Sequence, residues 1–298
     1  MNRLRHLGSI DDLSTEEILA LLDRAEQLRQ GATGEWRPGR VLTLAFFESS
    51  TRTRVGFASA GARLGFVPID LNAPRHSAGM SAQESLSDTI RVVSAYSDLL
   101  VLRHPSRSAW ETAMEVAQCP MINGGCGAGE HPSQALIDLF AIRRAFGRLS
   151  GLRVGIVGDI AGSRAVHSFV RGLQRFGQAE LRLMGPESRL GDARFAGASY
   201  GTALDLEGLD VVYMAGLPAG VGEGALDAGV RGAYALTAAR IGRLPPGAIV
   251  LSPLPRIDEI DKEIDVDSSA QYFENSDDAA FIRTSLMERG FDLEGREP

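Results

Sequence analysis

Residues 41–57 read VLTLAFFESSTRTRVGF, an apolar run that breaks into a glutamate, two serines and an alternating series of threonines and arginines. Val41 to Phe47 predicts a buried strand, and Ser50 to Leu64, closed by Gly65, predicts a helix. A strand that turns straight into a helix is the building unit of a parallel α/β sheet. Ser49 or Ser50 is expected to cap the helix, leaving the backbone N–H groups of Thr51, Arg52 and Thr53 at the positive end of its dipole. Such a terminus binds phosphate. Arg52 can add a guanidinium fork to the same anion, whereas Arg54, about 200 degrees farther round the helix, is assigned a structural role.

The same alternation extends in both directions. Upstream, Ser9 to Leu28 predicts an amphipathic helix, with Ile18, Leu21, Leu22, Ala25 and Leu28 at helical spacing. Downstream, short strands at Val67–Leu71, Leu99–Leu102 and Pro120–Ile122 are separated by helices at Ser85–Tyr96 and Ala109–Ala117. A helix from Ser133 to Phe146 then leads to GLRVGIVGDIAGSRAVHS, where a strand ends at Val157 and a new helix starts near Ser163. Later strands are expected at Glu180–Met184, Val211–Ala215 and Ile249–Leu251, with AQYF left irregular and a last helix at Asp277–Arg289. The fold class is therefore α/β, in two lobes, each a parallel sheet flanked by helices and joined near Ser133–Phe146. The stretch GLPAGVGEGALDAGVRG is expected to be a mobile loop.

Bulk properties narrow the partners. The chain has 298 residues, 44% hydrophobic and 23% charged, enough for two ordinary domains. A net charge of -7 offers no basic surface to a nucleic acid, so a small molecule is the expected partner. Lys262 is the only lysine, which leaves arginine to supply nearly every anion-binding cation. Cys119 and Cys126 have neither disulfide-framework nor zinc spacing. No apolar segment approaches the roughly 18 residues of a membrane span, and MNRLRHLGSIDDLS lacks a signal-peptide core, so a cytoplasmic location is expected.

Two further stretches carry chemistry. VLRHP sets Arg103 and His104 directly after a strand, at the carboxyl edge where open α/β sheets bind ligands. GEHPSQALIDLF sets His131 and Gln134 three residues apart at a helix entry, on one face. The glycines of GIVGDIAGSR lack the spacing of a dinucleotide fingerprint.

With STRTR, RHP and HPxQ in this order, and with SRAVHS and LSPLPRIDEI farther on, the chain resembles the aspartate and ornithine carbamoyltransferase family, and more closely its aspartate branch. The resemblance covers nearly the whole length. It implies a carbamoyl-phosphate-binding domain at residues 1–135, with a C-terminal helix at about 277–298 packing back on it, and an acceptor-binding domain at 136–276. It also implies a homotrimer with active sites at subunit interfaces, and transfer of a carbamoyl group from carbamoyl phosphate to an amine without metal or organic cofactor. By the same resemblance Ser50, Thr51, Arg52 and Thr53 hold phosphate, and Arg103 bridges phosphate and carbonyl oxygen. His131 with Thr53 polarises that carbonyl, Gln134 and the Leu254 backbone receive the carbamoyl NH2, and Arg164 takes the acceptor's α-carboxylate.

Four positions depart from the family pattern. Gly216 and Pro218 stand where an arginine and a glutamine read the second carboxylate of aspartate. Ala82 stands where a loop lysine reaches the neighbouring site, with Arg75 and His76 earlier in that loop as possible replacements. Ser49 stands in place of a proline. An acceptor other than aspartate is the resulting expectation. The alternatives are a same-fold enzyme with changed chemistry, such as a phosphate-releasing condensation or cyclisation, a catalytically silent paralogue, and ordinary aspartate carbamoylation.

Overall fold

A computed structural model describes residues 6–72, 84–177, 179–191, 195–219 and 224–289. The chain divides into two compact units, Met1–Leu136 with Asp278–Pro298, and Ile137–Asp277.

The first unit is built on a four-stranded parallel sheet. Its strands are β1 (Val41–Phe46), β2 (Val67–Asn72), β3 (Leu99–His104) and β4 (Met121–Cys126), in the order β2-β1-β3-β4. Helices α1 (Thr15–Arg29), α2 (Thr51–Arg63), α3 (Leu86–Ala95) and α4 (Ala109–Val116) belong to it, and α5 (Pro132–Phe146) begins in it. The strands read as near-continuous apolar runs because both sheet faces are covered. On one side Ile90 of α3 and Trp110 and Ala113 of α4 cluster with Ala45, Leu100 and Leu102. Phe57 and Ala60 of α2 and Ile18, Leu21 and Leu22 of α1 are also fully or almost fully buried.

The second unit holds β5 (Arg153–Gly158), α6 (Arg164–Gln174), β6 (Glu180–Met184), α7 (Glu187–Leu190), β7 (Ala198–Gly201) and β8 (Val211–Gly216). These are followed by α8 (Ala228–Tyr234), α9 (Ala238–Ile241), β9 (Ile249–Leu251) and the first part of α10 (Tyr272–Arg289). Its parallel sheet runs β7-β6-β5-β8-β9. Its core joins Val157, Met184, Val212, Met214, Val250 and Tyr272. Phe169 of α6 stacks on Tyr213 of β8, with centroids 4.7 Å apart.

Several local expectations require correction. The predicted helix from Ser9 is two elements: a 3-10 turn at Ile10–Asp12 capped by Ser9, then α1 with its own capping box, Ser14 and Glu17. Ser14 is the stronger N-terminal signal because its partner glutamate sits three residues on. Strand β7 was not expected; its four residues are too few and too polar for a periodic pattern. Helix α10 starts at Tyr272, five residues before the expected Asp277, because Tyr272 is fully buried in the second core and the preceding loop anchors it. Residues 73–83, which include Arg75, His76 and Ala82, lie outside the described residues, as do 220–223 of the glycine-rich stretch.

Candidate active site

In each sheet the chain leaves one strand to build outward on one side, then returns to build on the other. The reversal falls between β1 and β3 in the first unit and between β5 and β8 in the second. Such switch points open a crevice at the carboxyl ends of the two strands, and ligands of open α/β sheets bind there.

In the first unit that crevice is lined from three strand ends. β1 hands over to α2, and Phe47 N–H donates to Arg103 O at 2.8 Å, fastening the turn to β3. Ser50 occupies the N-cap position of α2, with extended backbone, yet its side chain makes no capping hydrogen bond; this corrects the expected serine cap. Ser50 is half-buried and Thr51 and Arg52 are exposed, whereas Thr53 is buried. Thr53 faces β4, since a Cβ added at Gly124 would meet its Cγ2 at 3.6 Å. Arg103 is buried, donating from Nη1 to Gly124 O at 3.1 Å and lying 3.5 Å from Glu48 Oε2 through Nε. His131 is buried at the entry to α5, with Nδ1 3.4 Å from Ser133 Oγ, and its carbonyl accepts the Gln134 N–H at 3.0 Å. Gln134 is half-buried on the first turn of α5. Ser50, Thr51, Arg52 and Thr53 thus follow the end of β1, and Arg103 lies at the end of the adjacent strand β3.

The charges at this crevice are predominantly cationic. Partial desolvation holds Arg52 below its ordinary value. Arg283 of α10, which the sequence reading missed, is 5% exposed and is held down to about 10 by burial and by repulsion from Arg52. Its guanidinium carbon lies 5.5 Å from the Phe57 ring centre, and its Nη1 approaches Gly56 closely enough that a Cβ there would stand 2.2 Å away. The sequence signal, an arginine between the buried Ile282 and Leu286, is ambiguous until α10 is docked. Arg54 turns away and pairs with Asp70 at 3.0 Å. His104 accepts the Ser106 N–H on Nδ1 at 2.9 Å and lies against Phe47, and burial lowers its pKa, favouring the neutral ring.

In the second unit Gly158 ends β5 and Gly216 ends β8. A Cβ on Gly158 would stand 2.3 Å from Gly216 O, so only glycine permits this approach, and Asp159 N–H donates to that carbonyl at 2.8 Å. Arg164 is half-buried at the first position of α6, whose N-cap Ser163 accepts the Val166 N–H. Leu254, half-buried, holds a φ of 51°, unusual for a residue with a side chain and costing of order 1–3 kcal/mol. Its N–H donates to Ser252 Oγ at 3.1 Å. A small pocket beside the two glycines has Arg231, Tyr234, Asp258 and Glu259 on its walls.

Residues 5–144 match the family model described as aspartate/ornithine carbamoyltransferase, carbamoyl-P binding domain. The chain belongs to the aspartate/ornithine carbamoyltransferase family and is a carbamoyltransferase enzyme. It is 37% identical over 293 residues to the aspartate carbamoyltransferase catalytic subunit of Chromobacterium violaceum, covering 95% of this chain and 96% of that one. With the catalytic subunit of Halorubrum lacusprofundi it shares 40% identity over 302 residues, covering 96% and 95%. Among solved structures it is similar to Trypanosoma cruzi aspartate transcarbamoylase in complex with carbamoyl phosphate and aspartate. The TM-score is 0.87 at 30% identity, covering 96% of this chain and 95% of that one.

Proposed function

We propose that this enzyme transfers the carbamoyl group of carbamoyl phosphate to the amino group of an amino acid, with aspartate, the substrate in the names of its relatives, as the reference acceptor. The observation that carries the reading is the first-unit crevice: an uncapped helix N-terminus, Arg52, and the buried Thr53, Arg103 and His131 around one strand junction. Attack by a neutral amine places negative charge on the carbonyl oxygen and on the departing phosphate, and preorganised donors stabilise both.

In this proposal Ser50, Thr51, Arg52 and Thr53 hold the phosphate. Arg103 spans phosphate and carbonyl oxygen, His131 and Thr53 polarise the carbonyl, and Gln134 takes the carbamoyl NH2. From the second unit the Leu254 backbone and Arg164 are assigned to the carbamoyl NH2 and the acceptor's α-carboxylate. Assembly as a homotrimer with interface active sites belongs to the same proposal. The exposed Val67 and Ile69 on edge strand β2, and Val55 on α2, are apolar surface of the kind an interface covers. Among the described residues no helix is long and apolar enough to cross a membrane, consistent with soluble substrates.

The test is phosphate release and product formation by the purified chain with carbamoyl phosphate and aspartate, set against Arg52→Ala. No release above that variant with any amino acid would remove the reading. The relatives lend no support to an acceptor other than aspartate. One observation favours that second reading nonetheless: β8 ends in Gly216, followed by Pro218, so no cation projects from these positions toward a second carboxylate. An acceptor panel run alongside aspartate separates the two.

A further inference from the structure

Helix α10 enters the first unit at Asp278, and from Ile282 to Glu288 every residue is buried. Two polar side chains of that stretch are tied to α1 or to the segment after it. Glu288 accepts Arg24 Nε and Nη2 at 2.7 and 2.9 Å and the Glu35 N–H at 2.7 Å, and Ser285 Oγ donates to Leu21 O at 2.9 Å. Arg283 differs. It is 5% exposed, its Nε has no hydrogen-bond partner, and among the described residues no carboxylate pairs with it. Its guanidinium lies on Gly56 and near the Phe57 ring: a Cβ added at Gly56 would meet Nη1, Cζ and Nε at 2.2, 2.7 and 3.0 Å.

Gly56 follows Arg52 by four residues, so the two share one face of α2 a turn apart, about 5.4 Å of rise. A buried cation beside a like charge is costly unless an anion accompanies it. The N-terminus of α2 is where an anion can sit: Ser50 leaves it uncapped, and Arg52 has no carboxylate partner among the described residues. We propose that Arg283 is a positioning residue for the phosphate of the substrate. Its buried, unneutralised cation under Gly56 holds the Arg52 guanidinium toward the N-terminus of α2 and adds positive potential where the phosphate binds. The inference rests on the carbamoyl-transfer reading above and adds a residue to its phosphate side. Repulsion from the Gly56 end drives Arg52 in the direction that helical side chains already lean. A bound dianion relieves that repulsion, because both guanidinium groups and the helix terminus attract it. Arginine suits the place: held down to about 10 by burial and by Arg52, it is still protonated at neutral pH.

The test is calorimetric titration of the full chain with inorganic phosphate at neutral pH, beside thermal melts without phosphate, for the parent, Arg283→Met and Arg283→Lys. Arg283→Met is expected to weaken phosphate about tenfold, the order of one weakly screened cation near a dianion, and Arg283→Lys to recover most of the affinity. Without phosphate Arg283→Met should melt no lower than the parent, since an apolar side chain replaces a buried, unpaired charge. A residue that only packs α10 against α2 would show the reverse: a lower melting temperature with phosphate affinity unchanged. That pattern, a loss of affinity that Arg283→Lys does not recover, or a parent that binds no phosphate overturns the proposal. If Arg283→Met does not fold, Arg283→Gln, which removes the charge and keeps polar reach, is set against Arg283→Lys by the same titration. A parent that binds phosphate with the expected pattern yet transfers no carbamoyl group to any amino acid would fail the carbamoyl-transfer reading and leave the role of Arg283 at the anion site standing.

Discussion

Arg103 and Arg54 show how differently two arginines of one unit are used. Arg103 is buried at the strand edge, held by Gly124 O, while Arg54 is partly exposed and paired with Asp70. Arg103→Ala is expected to lower kcat/KM for carbamoyl phosphate by about 10²–10³-fold, the usual cost of a lost oxyanion donor. Arg54→Ala should leave turnover unchanged and shift stability by no more than about 1 kcal/mol, as exposed ion pairs do. Steady-state kinetics and denaturant melts on the two variants check the contrast. A structural counterpart is Tyr213, whose hydroxyl donates to the fully buried Asp138 at 3.0 Å, where Asn275 Nδ2 also donates at 2.9 Å. Tyr213→Phe leaves one carboxylate oxygen short of a donor and should cost about 1–3 kcal/mol in denaturant unfolding. The placement of Arg52, Thr53, Arg103 and His131 at strand ends and helix entries was legible in the sequence, because each stands among local cues. Arg283 and Glu259 were not: what marks each is the residue it meets, Gly56 for one and Gly216 for the other, far away in sequence.

At the level of elements, α2 does two jobs. Its N-terminus stays uncapped at the crevice, and its inner face, Phe57 with Ala60 and Gly61, seals the first unit. Phe57 is fully buried, so Phe57→Ala should cost about 3–5 kcal/mol by the loss of transfer energy and the cavity left behind. A urea titration with unchanged m-value would confirm it. The strands β1, β3, β5 and β8 were readable as apolar runs because parallel strands are covered on both faces. β7 and the first turn of α10 were hidden for the opposite reason: neither has a periodicity of its own, and each forms because the rest of its unit offers a partner. The unused cap at Ser50 was equally out of reach, since a serine before a helix reads the same whether or not its hydroxyl turns inward.

Over the whole molecule, acid stability follows from paired carboxylates. The Arg153 hydrogen bonds hold Asp210 below the ordinary carboxylate range, and Arg256 does the same for Asp265. A depressed folded-state pKa stabilises the fold above the unfolded value, near 4, and that contribution is lost as pH falls through the folded value. The urea midpoint is therefore expected to be level from about pH 7 to 5 and to drop below about pH 4, with a shallower drop in Asp210→Asn. The sequence by itself determined the α/β class, the two parallel lobes and the strand-to-helix turn before Thr51, because strand hydrophobicity and helix punctuation are local properties. Only the tertiary structure decided where each sheet reverses, which arginines are consumed by partners, and that a buried glutamate packs against Gly216. Those are relations between residues distant along the chain, set by packing and electrostatics that no short stretch contains.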